Sequence, residues 1–438
     1  MNTNTMRKID RWLGIPLCFL FSGIHMLFRR FHHVVPGQIK KILFVKLAEQ
    51  GATVVAYSAI LEATERVGRE NVYFIVFEGN HFILEIMDVV PLENILTVST
   101  GSLFATFISL FKAILQLRKE RIDTAVDLEF FARSSALICF LTGAKRRVGL
   151  HSFAGEAPYR GNLMTHPIPY NCHLHTRETF LILVRAMDVC TWELPALDIP
   201  KQFGKPHLKR FRPKQKEAVV LRKLLHKETG RDDLSSTIIL NANASDLLPV
   251  RRWPVQNYVE LSRQLVSKYP KLCIVFTGAP SEAEIADQLA EKVGSDRCIS
   301  LAGKITFRQL MVLFTMGNLL LTNDSGPAHF ATLTNIRVVV LFGPETPALF
   351  APKGPQVHVV WKALACSPCV SAFNSRQTKC RSNICMQKIS VECVFNEVCK
   401  IYEESLNKDM QEMANEPLSK SQRSMNVQIH ELRSPRKE

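Results

Sequence analysis

Leu319-Leu320-Leu321-Thr322-Asn323-Asp324-Ser325-Gly326-Pro327-Ala328-His329-Phe330-Ala331 reads as a buried strand that turns directly into a helix. The apolar run fits a strand covered on both faces, and the small and polar residues after it stop the strand. Asp324 or Ser325 can cap the new helix, Gly326 lets backbone approach closely, and Pro327 suits a first helical position, where no donor is lost. Free N–H groups at such a helix start favour a phosphate or another anion. An ordinary capped strand-to-helix turn would carry the same residues, so the flanking sequence has to decide between the two readings.

Outward from this stretch, short apolar runs alternate with amphipathic segments. Strands are predicted at 237–240, 272–277, 298–301, 319–322 and 338–342, with helices at 255–269, 281–293, 307–316 and 327–334. An earlier series has strands at 39–45, 72–77 and 124–128 and helices at 54–65, 101–118 and 132–141. The alternation implies parallel βαβ units. Two series imply an α/β protein of two facing, Rossmann-like doubly wound domains, with ligands held beyond the carboxyl ends of the strands. The first domain is expected over 38–199 and the second over 235–403. Residues 200–234, rich in Lys, Arg and Pro, read as the linker, and 404–438 as a polar, disordered tail.

A chain of 438 residues that is 47% hydrophobic and 22% charged can bury two full cores, which excludes a disordered or fibrous protein. Its net charge of +15 predicts an anionic partner: a nucleotide, a nucleic acid or an acidic lipid surface. Nucleic acid is not expected, because no basic helix or aromatic-basic platform stands out. Twelve cysteines are too few for a disulfide scaffold of this length, which points to a reducing compartment.

Residues 1–37 form a basic and apolar segment. The run from Trp12 to Phe28 is mostly apolar and is flanked by Arg7, Lys8 and Arg11 on one side and Arg29 and Arg30 on the other. Broken by Pro16, Ser22, Gly23 and His25, it falls at the lower limit for spanning a hydrocarbon core of about 30 Å. An interfacial anchor on anionic headgroups is therefore the expectation, with a buried helix as the alternative.

Every strand of the second series ends in a loop with groups able to hold a ligand. They are Asn241, Asn243 and Ser245, then Gly278 to Glu282, Gly303-Lys304, Asp324-Ser325-Gly326, and Gly343-Pro344-Glu345. All five ends lie on one rim. Arg251 precedes the first helix of this series, where its guanidinium can pair bidentately with a diphosphate oxygen pair. Glu282 is placed either to accept ribose hydroxyls or to complement its helix dipole.

Together, Asn323 to Ala331, Val340-Leu341-Phe342-Gly343-Pro344-Glu345-Thr346-Pro347, Leu301-Ala302-Gly303-Lys304 and Lys41-Ile42-Leu43-Phe44-Val45-Lys46-Leu47 resemble glycosyltransferase family nine over about residues 40–390. These are the heptosyltransferase-like enzymes of bacterial envelope polysaccharides. The resemblance implies the GT-B architecture and inverting transfer of a sugar, heptose among the candidates, to a lipopolysaccharide or other envelope glycan acceptor. The donor would be a nucleotide-diphosphate sugar such as ADP-heptose, bound in the second domain with no metal required for transfer. It further implies a location at the cytoplasmic face of the bacterial inner membrane. By motif match, Asp324, Ser325, Gly326 and His329 fall on donor-contacting positions, and Arg251 falls where the family often places a basic phosphate contact.

One departure concerns the catalytic base. The family usually carries a Gly-Asp pair in the first loop, whereas this chain reads Ala48-Glu49-Gln50-Gly51-Ala52, with Ala52 at the Asp position. Inverting transfer needs a base to take the acceptor hydroxyl proton. Glu49 is the first substitute, followed by Asp127 and Glu129 at the end of the 124–128 strand. A non-catalytic nucleotide-sugar-binding protein of the same fold is the alternative. Arg146, Arg147, His173, His175 and Arg177 are candidates to attract an anionic acceptor. Near the end of the chain, Cys366, Cys369, Cys380 and Cys385 have the spacing Cys-x2-Cys-x10-Cys-x4-Cys, which leaves open a structural zinc, free thiols or disulfides.

Overall fold

Apolar runs such as Ile42–Val45 and Leu319–Leu321 become central strands because helices cover both faces of each sheet, and every residue of these runs is fully buried. The computed structural model describes residues 3–29, 38–151, 158–191, 208–230, 236–244 and 248–415. Helices α1 (Thr3–Trp12) and α2 (Gly14–Arg29) precede the first sheet. The amino-terminal domain then runs β1 (Ile42–Val45), α3 (Gln50–Val55), α4 (Tyr57–Val67), β2 (Val72–Phe77), α5 (Phe82–Met87), β3 (Ile95–Val98), α6 (Leu103–Lys119), β4 (Thr124–Asp127), α7 (Arg133–Leu141), β5 (Arg146–His151), β6 (His166–Pro169) and α8 (Thr176–Arg185). After α9 (Gln215–Thr229), the carboxy-terminal domain runs β7 (Thr237–Asn241), α10 (Val255–Lys268), β8 (Cys273–Phe276), α11 (Ala283–Val293), β9 (Cys298–Ser300), α12 (Phe307–Met316), β10 (Leu319–Asn323), α13 (Gly326–Ala331), β11 (Arg337–Phe342), α14 (Pro347–Phe350), β12 (Val357–Trp361), α15 (Ile384–Gln387) and α16 (Val391–Asn415).

Both sheets are wholly parallel, in the orders β3-β2-β1-β4-β5-β6 and β12-β11-β10-β7-β8-β9. The two orders are the same once strands are counted within each domain. Each sheet therefore changes winding direction between its first and fourth strands, β1 and β4 in one and β7 and β10 in the other. Crevices open at these switch points, and in this chain they face each other.

Several expectations need correcting. The linker contains α9, whose Leu221 and Leu225 are fully buried, because Val219 to Leu225 supplies an apolar stripe that the Lys- and Arg-rich surroundings mask. The polar tail begins later than expected: α16 continues to Asn415, with Ile401, Tyr402 and Ser405 buried on one side. Residues 200–207 and 231–234 of the linker, 416–438 of the tail, 1–2 and 30–37 of the first segment, and Ser245 lie outside the described residues. Strands β3, β5, β6 and β12 are short or polar in sequence and were not expected. Among the described residues no helix is long and apolar enough to cross a membrane. At 16 residues, α2 is about 24 Å long.

Asn323 ties the carboxy-terminal switch point together. Fully buried, its Oδ1 accepts from the Trp253 N–H (3.0 Å) and the Tyr258 hydroxyl (3.2 Å), and its Nδ2 donates to the carbonyls of Ala242 (2.9 Å) and Asn243 (3.2 Å). One amide thus fixes the end of β10, the loop after β7 and the start of α10. Asn323→Ala strands four buried partners at once, and it is expected to lower the stability of the chain by about 3 kcal/mol in a denaturant titration.

Candidate active site in the interdomain cleft

The facing switch points enclose a cleft of about 730 Å³. Its amino-terminal wall is the loop after β1. Glu129, at the end of β4, accepts from the Leu47 N–H (2.8 Å), the Ala48 N–H (3.1 Å) and the Lys46 ammonium (2.9 Å), so this carboxylate moulds the loop. The next residue, Glu49, takes a left-handed conformation (φ 66°), which a non-glycine residue holds only at a cost of roughly 1 kcal/mol or more. That conformation starts α3 and directs Glu49 into the cleft. Gly51 then passes so close to the other domain that a Cβ there would stand 2.8 Å from His329 Cδ2.

The opposite wall is the turn from β10 into α13, with Asp324, Ser325, Gly326 and His329 lining the cleft. The Ser325 hydroxyl bonds the Thr322 hydroxyl at 3.1 Å, which turns the helix start toward the open space. Arg251 lies between two buried carboxylates, its Nη1 3.5 Å from Asp324 Oδ2 and 3.6 Å from Glu345 Oε2. Arg251 Nε and Asp324 Oδ2 are buried without a hydrogen-bond partner. Buried polar atoms left in this state are completed by a ligand or ordered water.

Arg376 joins the two walls. Its Nε and Nη2 donate to the two oxygens of Glu345 at 2.7 and 2.8 Å, while its Nη1 donates to Glu49 across the cleft. Its guanidinium also sits over the Phe350 ring, 5.2 Å from the centroid. Like Glu49, Arg376 has a left-handed backbone (φ 53°).

These contacts set the charge states. Burial alone would raise Glu49, but the cations Arg376, Lys46 and Arg251 outweigh it and hold its carboxyl down to about 2. Glu345 feels the same burial and is likewise held below the ordinary carboxylate range by Arg376. Asp324 goes the other way: burial first, then the neighbouring Glu345 charge against the pull of Arg251, pushes it up to about 7. Burial, aided by His175 and Arg251, lowers His329 to about 3, so its imidazole is neutral.

The cleft brings together the sequence-derived positions Glu49, Arg251, Glu282, Asp324, Ser325, Gly326 and His329, with Asn241, Asn243 and Gly278 from the strand-end loops. Glu282 accepts the Ala279 N–H at 2.7 Å, which serves the start of α11, and it still faces the cleft. Asp127 and Glu129 do not line it. Asp127 is fully buried, paired with Arg160 at 2.9 Å and accepting from the Ser135 hydroxyl and the Glu129 N–H, while Glu129 is committed to the loop it shapes. Arg147 is spent on the carbonyls of Leu163 and Ala144, and His175 caps α8 and bonds the Ala351 carbonyl at 2.9 Å.

Among the described residues no group of three or more His, Cys, Asp or Glu is arranged to hold a metal. Of the three alternatives for the late cysteines Cys366, Cys369, Cys380 and Cys385, the structure has them as free thiols, with Cys385 within electrostatic reach of the other three. Their segment is fastened by other means: the Cys369 N–H donates to the Pro344 carbonyl, and Cys385 is buried under Gly343. This fastening delivers Arg376 to the cleft. Sequence reasoning missed Arg376 because nothing in a cysteine-spaced loop marks one basic residue; Glu345 was visible only as part of a strand-end loop.

The profile of glycosyltransferase family 9 (heptosyltransferase) matches residues 110–379. Lipopolysaccharide heptosyltransferase 2 of Salmonella typhimurium is 29% identical over 115 residues, which is 26% of this chain and 32% of that protein. The chain thus spans about a third of the length of the curated relatives it matches. Among solved structures, the ADP-heptose lipopolysaccharide heptosyltransferase II of E. coli superposes with a TM-score of 0.61 at 19% identity, covering 83% of this chain and 99% of that one. The family 9 glycosyl transferase of Veillonella parvula does so with a TM-score of 0.63 at 15% identity, covering 84% and 99%. With the family profile matching well over half its length, and with two parallel sheets around a shared cleft, the chain belongs to glycosyltransferase family 9.

Proposed function

We propose that the protein is an inverting glycosyltransferase that moves a sugar from a nucleotide-diphosphate donor to an envelope glycan, with ADP-heptose and a lipopolysaccharide core as the leading pair. The observation that carries this reading is the convergence, in one cleft, of the Asp324–Gly326 turn and Arg251 on one wall with Glu49 on the other. The diphosphate lies at the start of α13, where backbone N–H groups and Arg251 take up its charge and stabilise it as a leaving group. Asp324, carrying a proton below about pH 7, donates to the donor without repelling it. The acceptor approaches from the side of Glu49, which takes the hydroxyl proton as the hydroxyl attacks the anomeric carbon.

A carboxyl held at about 2 is always ionised but weakly basic. A bound diphosphate competes for Arg251, one of the cations that depress Glu49, so donor binding itself makes Glu49 a better base. The names of the matched relatives support heptose and lipopolysaccharide as substrates. We place this work at the cytoplasmic face of the inner membrane, with α1 and α2 as an interfacial anchor whose exposed Trp12, Phe19 and Leu27 support the reading.

Glu49→Gln is expected to lower kcat by roughly 10² to 10³ with donor affinity nearly unchanged. Steady-state kinetics beside calorimetric donor titration checks this, and a kcat within a few-fold of the parent would remove Glu49 as the base. A nucleotide-diphosphate sugar has no phosphate group titrating near neutrality, so its affinity reports Asp324. As the pH rises from about 6 to about 8, Asp324 loses its proton and affinity falls by roughly tenfold or more, while Asp324→Asn binds with a flat profile. A flat profile in the parent would contradict the assignment.

A further inference from the structure

Two helical faces of the amino-terminal domain have no partner among the described residues. On α6, Leu103, Phe107, Phe111 and Leu115 recur every four residues and, with Phe104, point away from the core; Phe104 is 74% exposed and Phe107 68%. The opposite side of the helix, Ala113 and Leu117, is buried. On the amino-terminal pair, Trp12 is 76% exposed and Phe19 74%, with Leu13, Leu20, Met26 and Leu27 also exposed.

These faces belong to one side of the molecule. Helix α7 joins them: its Ile138 and Cys139 share a core with Ala113 and Leu117 of α6, and its Ala136, Leu137 and Phe140 pack against Cys18 and Phe21 of α2. Arg118 of α6 also donates to the Leu141 carbonyl at 2.7 Å. Helix α2 is firmly seated. The Ser22 hydroxyl accepts the Asn162 N–H at 2.8 Å, and a Cβ on Gly161 would come within 2.8 Å of the Cys18 carbonyl oxygen. Helix α1 is pinned by Asp10, which accepts the N–H groups of Arg133 (3.0 Å) and Ser134 (2.8 Å); Asp10 caps α7, whose own Ncap position is Ala132.

Both faces start at the cleft. Met6 of α1 lines it, and Arg7 lies within electrostatic reach of Glu49. Thr100, just before α6, lines it too. The charge around the faces has one sign. Lys8, Arg11, Lys112, Arg118 and Lys119 are exposed, α6 carries no Asp or Glu, and the sole acidic residue of α1 and α2, Asp10, is engaged in capping α7.

We propose that α2 and α6 are the two legs of a single docking surface that seats the acceptor-side mouth of the cleft on an anionic lipid leaflet. Aromatic and aliphatic side chains enter the headgroup boundary while the basic rim pairs with phosphate. The acceptor class follows: a glycan whose lipid part stays in the leaflet while its sugar end reaches between Met6 and Thr100. The proposal rests on the reading of the amino-terminal domain as the acceptor side.

Sedimentation of the full chain with vesicles of phosphatidylcholine, alone or with roughly one third phosphatidylglycerol, tests it. The parent is expected to bind the mixed vesicles well above the neutral ones. Phe104→Ser, Phe107→Ser and Phe111→Ser together are expected to weaken that binding roughly tenfold or more, with thermal stabilisation by nucleoside diphosphate unchanged as evidence of an intact fold. Lys112→Glu with Lys119→Glu should abolish the preference for the anionic vesicles. Equal binding of the triple variant and the parent would overturn the role of α6. So would equal binding of the parent to both vesicle types, or a dimer in light scattering that dissociates only in the triple variant and binds no vesicles. No sugar donor takes part, so loss of nucleotide stabilisation with vesicle binding intact would count against the transfer reading alone.

Discussion

A single guanidinium decides the protonation of both walls of the cleft. Glu345 is fully buried, and a carboxylate in that position is tolerated only with a charged partner in good geometry. Arg376 supplies it with two hydrogen bonds and extends a third to Glu49 of the other domain. Asp324 and Glu345 face each other beside Arg251, and two neighbouring buried carboxyls do not both ionise readily. Arg376 stabilises the charge on Glu345, so the proton stays on Asp324. The donor side is thereby less negative than its residues suggest, and the acceptor side keeps an ionised carboxylate pointed at it. Removing one partner from such a buried set typically costs about 3 to 5 kcal/mol, which makes Arg376 a structural and an electrostatic centre together.

The two domains repeat one topology but use it differently. In the carboxy-terminal domain the switch point is filled by polar groups: the Asn323 amide fixes three segments, and the turn after it faces the open cleft. In the amino-terminal domain the same place is filled by ion pairs, Lys46 with Glu129 and Asp127 with Arg160, which are closed to solvent. These pairs leave only Glu49 of the local carboxylates facing the cleft. Two carboxylates chosen from the strand end, Asp127 and Glu129, thus act as supports for the third.

The fold was legible because its signal is repeated. Eight of the twelve strands stand out as apolar runs spaced by amphipathic helices, and the order of a doubly wound sheet follows from that rhythm. Of the four that did not stand out, β3, β6 (His166–Pro169) and β12 (Val357–Trp361) lie at sheet edges, where fewer apolar residues are needed, and β5 lies next to an edge and opens on Arg146-Arg147. The donor wall was legible for a similar reason: Asp324, Ser325 and Gly326 are consecutive, so one turn declares them. Arg376 is 327 residues from Glu49 in the chain, and their meeting depends on how a loop without regular structure is fastened. The cysteines drew attention to that loop, and the arginine between them, which the spacing does not mark, is what reaches the cleft.

The central claim is that the turn at Asp324 to Gly326, together with Arg251, receives the diphosphate of an activated sugar opposite Glu49. A crystal structure of the protein with a bound nucleoside diphosphate tests it most directly. The account predicts the terminal phosphate against the start of α13, within hydrogen-bonding distance of the Gly326 backbone and the Arg251 guanidinium, with the nucleoside toward Glu282. A nucleotide lodged outside this cleft, or phosphates turned away from α13, would contradict it.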